Sequence, residues 1–152
     1  MAKVKLTKNK YALVDDENFE WLNQFKWHLS SSGYAVRKIG PAGKQRNIYM
    51  HRIVLKCPNN KETDHINRNR IDNQRTNLRI ASRSQNASNR ECPRSSDYRG
   101  IQHRTVNSWR ATIRINGKSF SLGHFASSKL AALAYDRAAK KYFGEFARCN
   151  FE

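Results

Sequence analysis

Acidic residues are scarce in this chain, with 12 Asp and Glu against 29 Lys and Arg, a formal net charge of +17 on 152 residues. Such a surface repels basic ligands and seeks a polyanion. Long apolar runs are absent too. None approaches the roughly 20 residues that span a bilayer, and no basic amphipathic helix argues for a membrane surface. The three cysteines, Cys57, Cys92 and Cys149, are odd in number and far apart. They form no CxxC pair that could hold zinc, and no secretory segment precedes them, so reduced thiols in a cytoplasmic protein are expected.

The basic excess is spread evenly. Nine basic residues against four acidic ones leave +5 over residues 1–50, ten against five leave +5 over 51–97, and ten against three leave +7 over 98–152. This is not a neutral body with one basic tail. Aromatic residues make up 11%, with tryptophans at 21, 27 and 109. Their large buried areas favour small folded units over disorder.

Residues 4–14 and 33–50 carry the β-branched and aromatic residues of short strands, with Gly40, Pro41, Ala42 and Gly43 marking a turn. Between them Phe19, Leu22, Phe25 and Leu29 recur at helical spacing behind Asp15 and Asp16. The segment predicts a small β-α-β scaffold over 1–50 with no chemistry of its own. A linker is expected over 93–97, around Pro93. Beyond it, WRATIRI and KSFSLG predict two strands joined by Asn116 and Gly117, the preferred residues of a two-residue hairpin turn. A helix should follow, capped by Ser127 or Ser128 and ended at Gly144, with Leu130, Ala131, Ala134, Ala138 and Tyr142 against the sheet.

The chemistry-bearing stretch is ETDHINRNRIDNQRTNLRIASRSQNASNR. It sets Asp64 beside His65, Asn77 twelve positions after the histidine, and Asn86 nine further on. A strand ending at Asp64 and His65, a loop, a second strand NLRIAS and a helix from about Ser82 would form a ββα unit. Singly, each residue is explained as well by a surface histidine or by turn chemistry. Jointly, a hard-oxygen pair beside an imidazole in a basic chain points to metal-assisted phosphodiester hydrolysis.

This stretch resembles the HNH endonucleases, most closely their phage and intron homing branch, over His51 to Arg90. The resemblance implies a ββα-metal, or His-Me finger, unit over 51–92. It makes His65 the general base, Asn77 the clamp of the catalytic loop, and Asp64 and Asn86 the ligands of one Mg²⁺ or Mn²⁺, with 5′-phosphate and 3′-hydroxyl products. An imidazole of ordinary pKa near about 6.5 suits a base at physiological pH. Arg68, Arg70 and Arg75 in the intervening loop are placed to hold backbone phosphates. His51, ahead of an apolar run, is expected to pack rather than to act.

In WRATIRI the apolar Trp109, Ala111, Ile113 and Ile115 alternate with Arg110, Thr112 and Arg114. A charged β-ribbon of this kind can enter the major groove. With YRGI, LGHFASSKLAALAYDRAAKKYFGE and NFE, residues 98–152 resemble the DNA-binding domain of the plant Apetala and ethylene-response-factor family. That resemblance implies a three-stranded antiparallel sheet packed on one helix, with Arg99, Gln102, Arg104, Arg110, Thr112, Arg114, Ser119 and Ser121 at DNA contacts. Gln102, Ser119 and Ser121 stand where plant members commonly carry Arg or Trp, so the plant target does not transfer.

The expectation is an α+β protein: a site-selective, homing-type endonuclease that nicks double-stranded DNA as a monomer. It needs no obligate protein partner and no membrane, and its setting is the cytoplasm of a bacterial or phage-infected cell. A non-catalytic DNA-binding transcriptional regulator is the alternative. An RNA-binding role lacks the aromatic stacking motifs of single-strand readers.

Overall fold

The computed structural model describes residues 1–90 and 98–151; the expected linker and Cys92 lie outside the described residues. Two compact units emerge, Met1–Ala81 and Ser82–Glu152. Their division falls between the second strand and the helix of the expected ββα stretch.

In the first unit, β1 (Ala2–Lys5) and β2 (Tyr11–Val14) form an antiparallel hairpin. Helix α1 (Asp16–Asn23) follows and is shorter than its apolar spacing predicts. Just beyond its end the buried Trp27 indole turns back and donates to Leu22 O at 2.9 Å, a carbonyl that also accepts from Phe25 N. Phe25 is consequently exposed, with the Arg37 guanidinium 3.7 Å from its ring centroid. Leu29 belongs to β3 (His28–Leu29), which pairs with β4 (Ala35–Ile39) and through it β5 (Arg46–Tyr49) in an antiparallel sheet. Lys44 N donates to Pro41 O in the predicted turn between the last two.

The short helix α2 (Met50–Val54) leads to β6 (Glu62–His65), paired antiparallel with β7 (Leu78–Ala81). Leu78 joins Val4, Leu6, Ala12, Val14, Leu22, Trp27, Ala35, Met50 and Val54 in one core. That shared core is why the β6–β7 hairpin and the N-terminal scaffold fold as one body. Leu22 is fully buried there, and Leu22→Ala would cost about 2–5 kcal/mol.

The second unit begins with α3 (Arg83–Asn89). Its capping box joins Gln85 N to Ser82 Oγ and Ser82 N to Gln85 Oε1. Ser88 Oγ lies 2.7 Å from Phe146 O, which ties this helix to the far end of the unit. Strands β8 (Ile101–Thr105), β9 (Ser108–Ile115) and β10 (Lys118–Phe125) form an antiparallel sheet with β9 in the centre. Asn116 and Gly117 both take the positive φ that the predicted hairpin turn needs. Helix α4 (Ser128–Phe143) starts at the Ser127 cap, whose hydroxyl accepts from Leu130 N.

The face of α4 that meets the sheet is phased differently from the expectation. Ala131, Ala132, Tyr135, Ala138, Ala139 and Phe143 are buried, whereas Leu130 and Tyr142 are about half exposed, at 51% and 53%. Tyr135 sets this phase. Its ring fits against Gly100 so closely that a Cβ there would lie 2.2 Å from a ring carbon, and its hydroxyl accepts from Arg99 Nε. The last residues are strapped on by Asp136, which accepts from the backbone N–H groups of Asn150 and Phe151 and from Asn150 Nδ2.

Candidate functional site

Asp64 and His65 close β6, and both are buried, at 4% and 5% exposure. Across the hairpin Arg79 faces Asp64 and donates to Oδ2 from both Nε and Nη2 at 2.9 Å. The guanidinium offsets part of the cost of burying that carboxylate and holds its orientation. Asn86 is on α3, half-buried, in the second unit.

The loop from Ile66 to the 3₁₀ turn Arg75–Asn77 is closed by its own asparagines. Asn77 Oδ1 accepts from Asn67 N at 2.9 Å, and its Nδ2 donates to Asp72 O at 2.8 Å. Asn67 Nδ2 donates to Asp72 Oδ2 at 2.7 Å. Strand β2 holds the same loop from outside, through Leu13 N to Ile71 O and Asn73 N to Leu13 O, both 2.8 Å. Asp15 adds a further tie, its Oδ2 accepting from Arg75 N.

Asn73 is fully buried and lies 3.2 Å from His65 Nε2 through its Oδ1. Its Nδ2 is directed to Met50 Sδ and Ile71 O, each at 3.5 Å. Around His65 lie aromatic rings from α2 and from the N-terminal scaffold. His51 packs edge-on at 5.1 Å between centroids, and Tyr34 lies at 5.9 Å. Tyr49 and Tyr34 in turn flank His51. Residues 1–50 therefore do more than scaffold, because they wall the imidazole. Signals for this were weak: Tyr34, Tyr49 and His51 have no common spacing, and only the sheet brings them together.

Burial dominates the electrostatics. It pushes the His65 pKa down, opposed by the hydrogen bond to Asn73 and by the charges of Asp64 and Asp72. Burial together with the charges of His65 and Arg52 lowers His51 to about 3, so His51 is neutral at physiological pH. Its Nδ1 is buried with no hydrogen-bond partner among the described residues.

Of the loop arginines, Arg68 is exposed in a positive-φ conformation. Arg70 bonds Ser32 O at 2.7 Å beside the Tyr34 ring, and Arg75 reaches Val54 O from its exposed position. Among the described residues, no cluster of three or more His, Cys, Asp or Glu forms a cage for a metal. Asp64 carries a hard carboxylate oxygen, the donor type that Mg²⁺ or Mn²⁺ takes when water and phosphate complete the shell.

On the second unit, strand register assembles one polar face. Gln102 stands opposite Arg110, Arg110 opposite His124, Thr112 opposite Ser121, and Arg114 opposite Ser119. Paired residues share a face of the sheet, so His124, which has no partner at useful spacing in sequence, joins the predicted row. Arg104 is exposed on β8. Arg99 is placed otherwise: its guanidinium bonds Tyr135 Oη, Arg90 O and Ala87 O, so it braces the fold.

A family model described as HNH endonuclease matches residues 49–88, and one for the AP2 domain matches residues 96–145. An uncharacterized HNH endonuclease of Acanthamoeba polyphaga mimivirus is 32% identical over 144 residues, covering 94% of this chain and 76% of that protein. Dehydration-responsive element-binding protein 2C of Arabidopsis thaliana is 50% identical over 56 residues, 36% of this chain and 16% of its own length. A rice relative, dehydration-responsive element-binding protein 2A of Oryza sativa subsp. japonica, is 45% identical over 56 residues, 36% of this chain and 20% of its own. No helix among the described residues is long and apolar enough to cross a membrane. With a buried Asp-His pair on a clamped hairpin and a three-stranded sheet on one helix, the chain belongs to the HNH endonucleases and carries an AP2 domain.

Proposed function

We propose that this protein is a site-selective, homing-type DNA endonuclease that hydrolyses a phosphodiester bond and nicks duplex DNA, leaving a 5′-phosphate and a 3′-hydroxyl. The observation that carries the reading is His65: a buried imidazole beside a buried carboxylate, held by a hydrogen bond in a loop whose backbone is clamped by Asn77. Preorganisation of this kind is what general-base catalysis requires, and it serves no evident purpose in a protein that only binds. With its pKa lowered by burial, His65 is neutral at physiological pH and can take the proton of an attacking water.

Asp64 and Asn86 are the residues that would hold one Mg²⁺ or Mn²⁺. When bound, such an ion supplies Lewis-acid polarisation of the phosphate and charge relief for the departing oxygen. Arg68, Arg70 and Arg75 steady the DNA backbone near the cut. Gln102, Arg104, Arg110, Thr112, Arg114, Ser119 and Ser121 contact the DNA from the AP2 sheet, where arginines in the major groove discriminate bases. One cutting site and one reading module need no symmetry mate, so the protein acts as a monomer.

The test is incubation of the purified protein with supercoiled plasmid and Mg²⁺, beside His65→Ala. Conversion to open circles by the wild type and not by the variant, with similar DNA affinity, supports the reading. Binding without nicking at any salt concentration would leave the non-catalytic regulator.

A further inference from the structure

We propose that Asn73 is a positioning residue for catalysis, one that selects the tautomer of His65. The proposal rests on the reading of His65 as the general base. Asn73 is oriented independently of the histidine: its backbone N–H is bonded to Leu13 O, and its Nδ2 is directed to Met50 Sδ and Ile71 O. Neither neighbour of Nδ2 carries a proton to donate, so the amide oxygen must be the atom that faces His65 Nε2 at 3.2 Å. An amide oxygen only accepts, and so the neutral imidazole carries its hydrogen on Nε2 and its basic lone pair on Nδ1. Without that acceptor the two tautomers would compete, and the fraction with hydrogen on Nδ1 would have no lone pair there to take a proton from water. Asn73 is fully buried and eight residues from His65. The N-terminal hairpin thus reaches the reaction through Leu13, although it supplies no reacting group.

The experiment uses the full chain labelled with ¹⁵N-histidine, with His65→Gln to assign the resonances, and long-range ¹H–¹⁵N correlation at pH 8. Expected is a single His65 tautomer with the hydrogen on Nε2 in the wild type and a mixture in Asn73→Ala. Single-turnover nicking of supercoiled plasmid with Mg²⁺ should be about 10- to 100-fold slower in Asn73→Ala, in line with loss of an orienting hydrogen bond. DNA affinity should stay within about threefold of wild type, since a change confined to the rate marks an interaction made in the transition state. Asn73→Asp restores an acceptor and should recover most of the rate. A wild-type His65 with its hydrogen on Nδ1 would overturn the proposal, as would wild-type rates in Asn73→Ala. Should Asn73→Ala not fold, the wild-type tautomer and the Asn73→Asp rate still decide it. If the wild type does not nick at all, the endonuclease reading fails, while the tautomer measurement still reports on Asn73.

Discussion

Acid should destabilise the first unit through His51, and the size of the effect follows from its burial. The folded protein keeps this imidazole neutral down to about pH 3, whereas the unfolded chain takes up a proton below the ordinary 6.5. A depressed folded-state pKa contributes stability that is present above 6.5 and is lost as the pH falls toward 3. Each pH unit in that window costs about 1.4 kcal/mol, so lowering the pH from 7 to 5 removes about 2 kcal/mol on account of His51. Side-chain carboxylates titrate mostly below this range. His65 acts in the same direction, and the difference between wild type and His51→Gln isolates the His51 contribution. In a Trp109→Phe background, the fluorescence of Trp21 and Trp27 reports on the first unit during urea unfolding. The wild-type midpoint should fall by about 1 M more than that of His51→Gln between pH 7 and 5, given a slope of about 2 kcal/mol per M. Equal shifts in the two proteins would refute the argument that His51 is held neutral by burial.

Gly100→Ala should unfold the second unit, because the new Cβ would meet the Tyr135 ring and Thr112 O at a φ of +74°. Overpacking and the left-handed backbone together cost about 2–5 kcal/mol, measurable as a loss of the Trp109 unfolding transition. Asp136→Ala leaves the Asn150 and Phe151 N–H groups without their acceptor; faster amide exchange at both, with a loss of about 1–3 kcal/mol, is expected. Arg114→Ala should relax site choice while leaving the nicking chemistry intact, and an unchanged footprint would remove it from the reading face. Raising the salt concentration should weaken DNA binding steeply, as phosphate contacts release counterions.

Much of this protein was written in local pattern. The offsets among Asp64, His65, Asn77 and Asn86 marked the HNH stretch, and alternation along Trp109–Ile115 with an Asn-Gly turn marked the three-stranded sheet of the AP2 domain. The helix start near Ser82 and the cap at Ser127 were equally legible, since a cap depends on neighbours three residues away. These features share one property: residue type and spacing along one continuous stretch of chain carry them.

Long-range packing decided the rest. Trp27 turns its indole onto Leu22 O just beyond α1 and Tyr135 wedges against Gly100, so apolar spacing found Leu22, Ala131 and Ala138 on the buried faces but misplaced Phe25, Leu130 and Tyr142. Arg99 went to the fold because Tyr135 and the end of α3 lie within its reach. The same holds at His65, the proposed general base. Sequence named His65 and the charge of its neighbour, because those are properties of residue type and adjacency. Its neighbouring rings come from Tyr34 and His51 in other elements, its partner Asn73 is held in place by Leu13 of β2, and the burial that lowers its pKa is a property no single segment possesses.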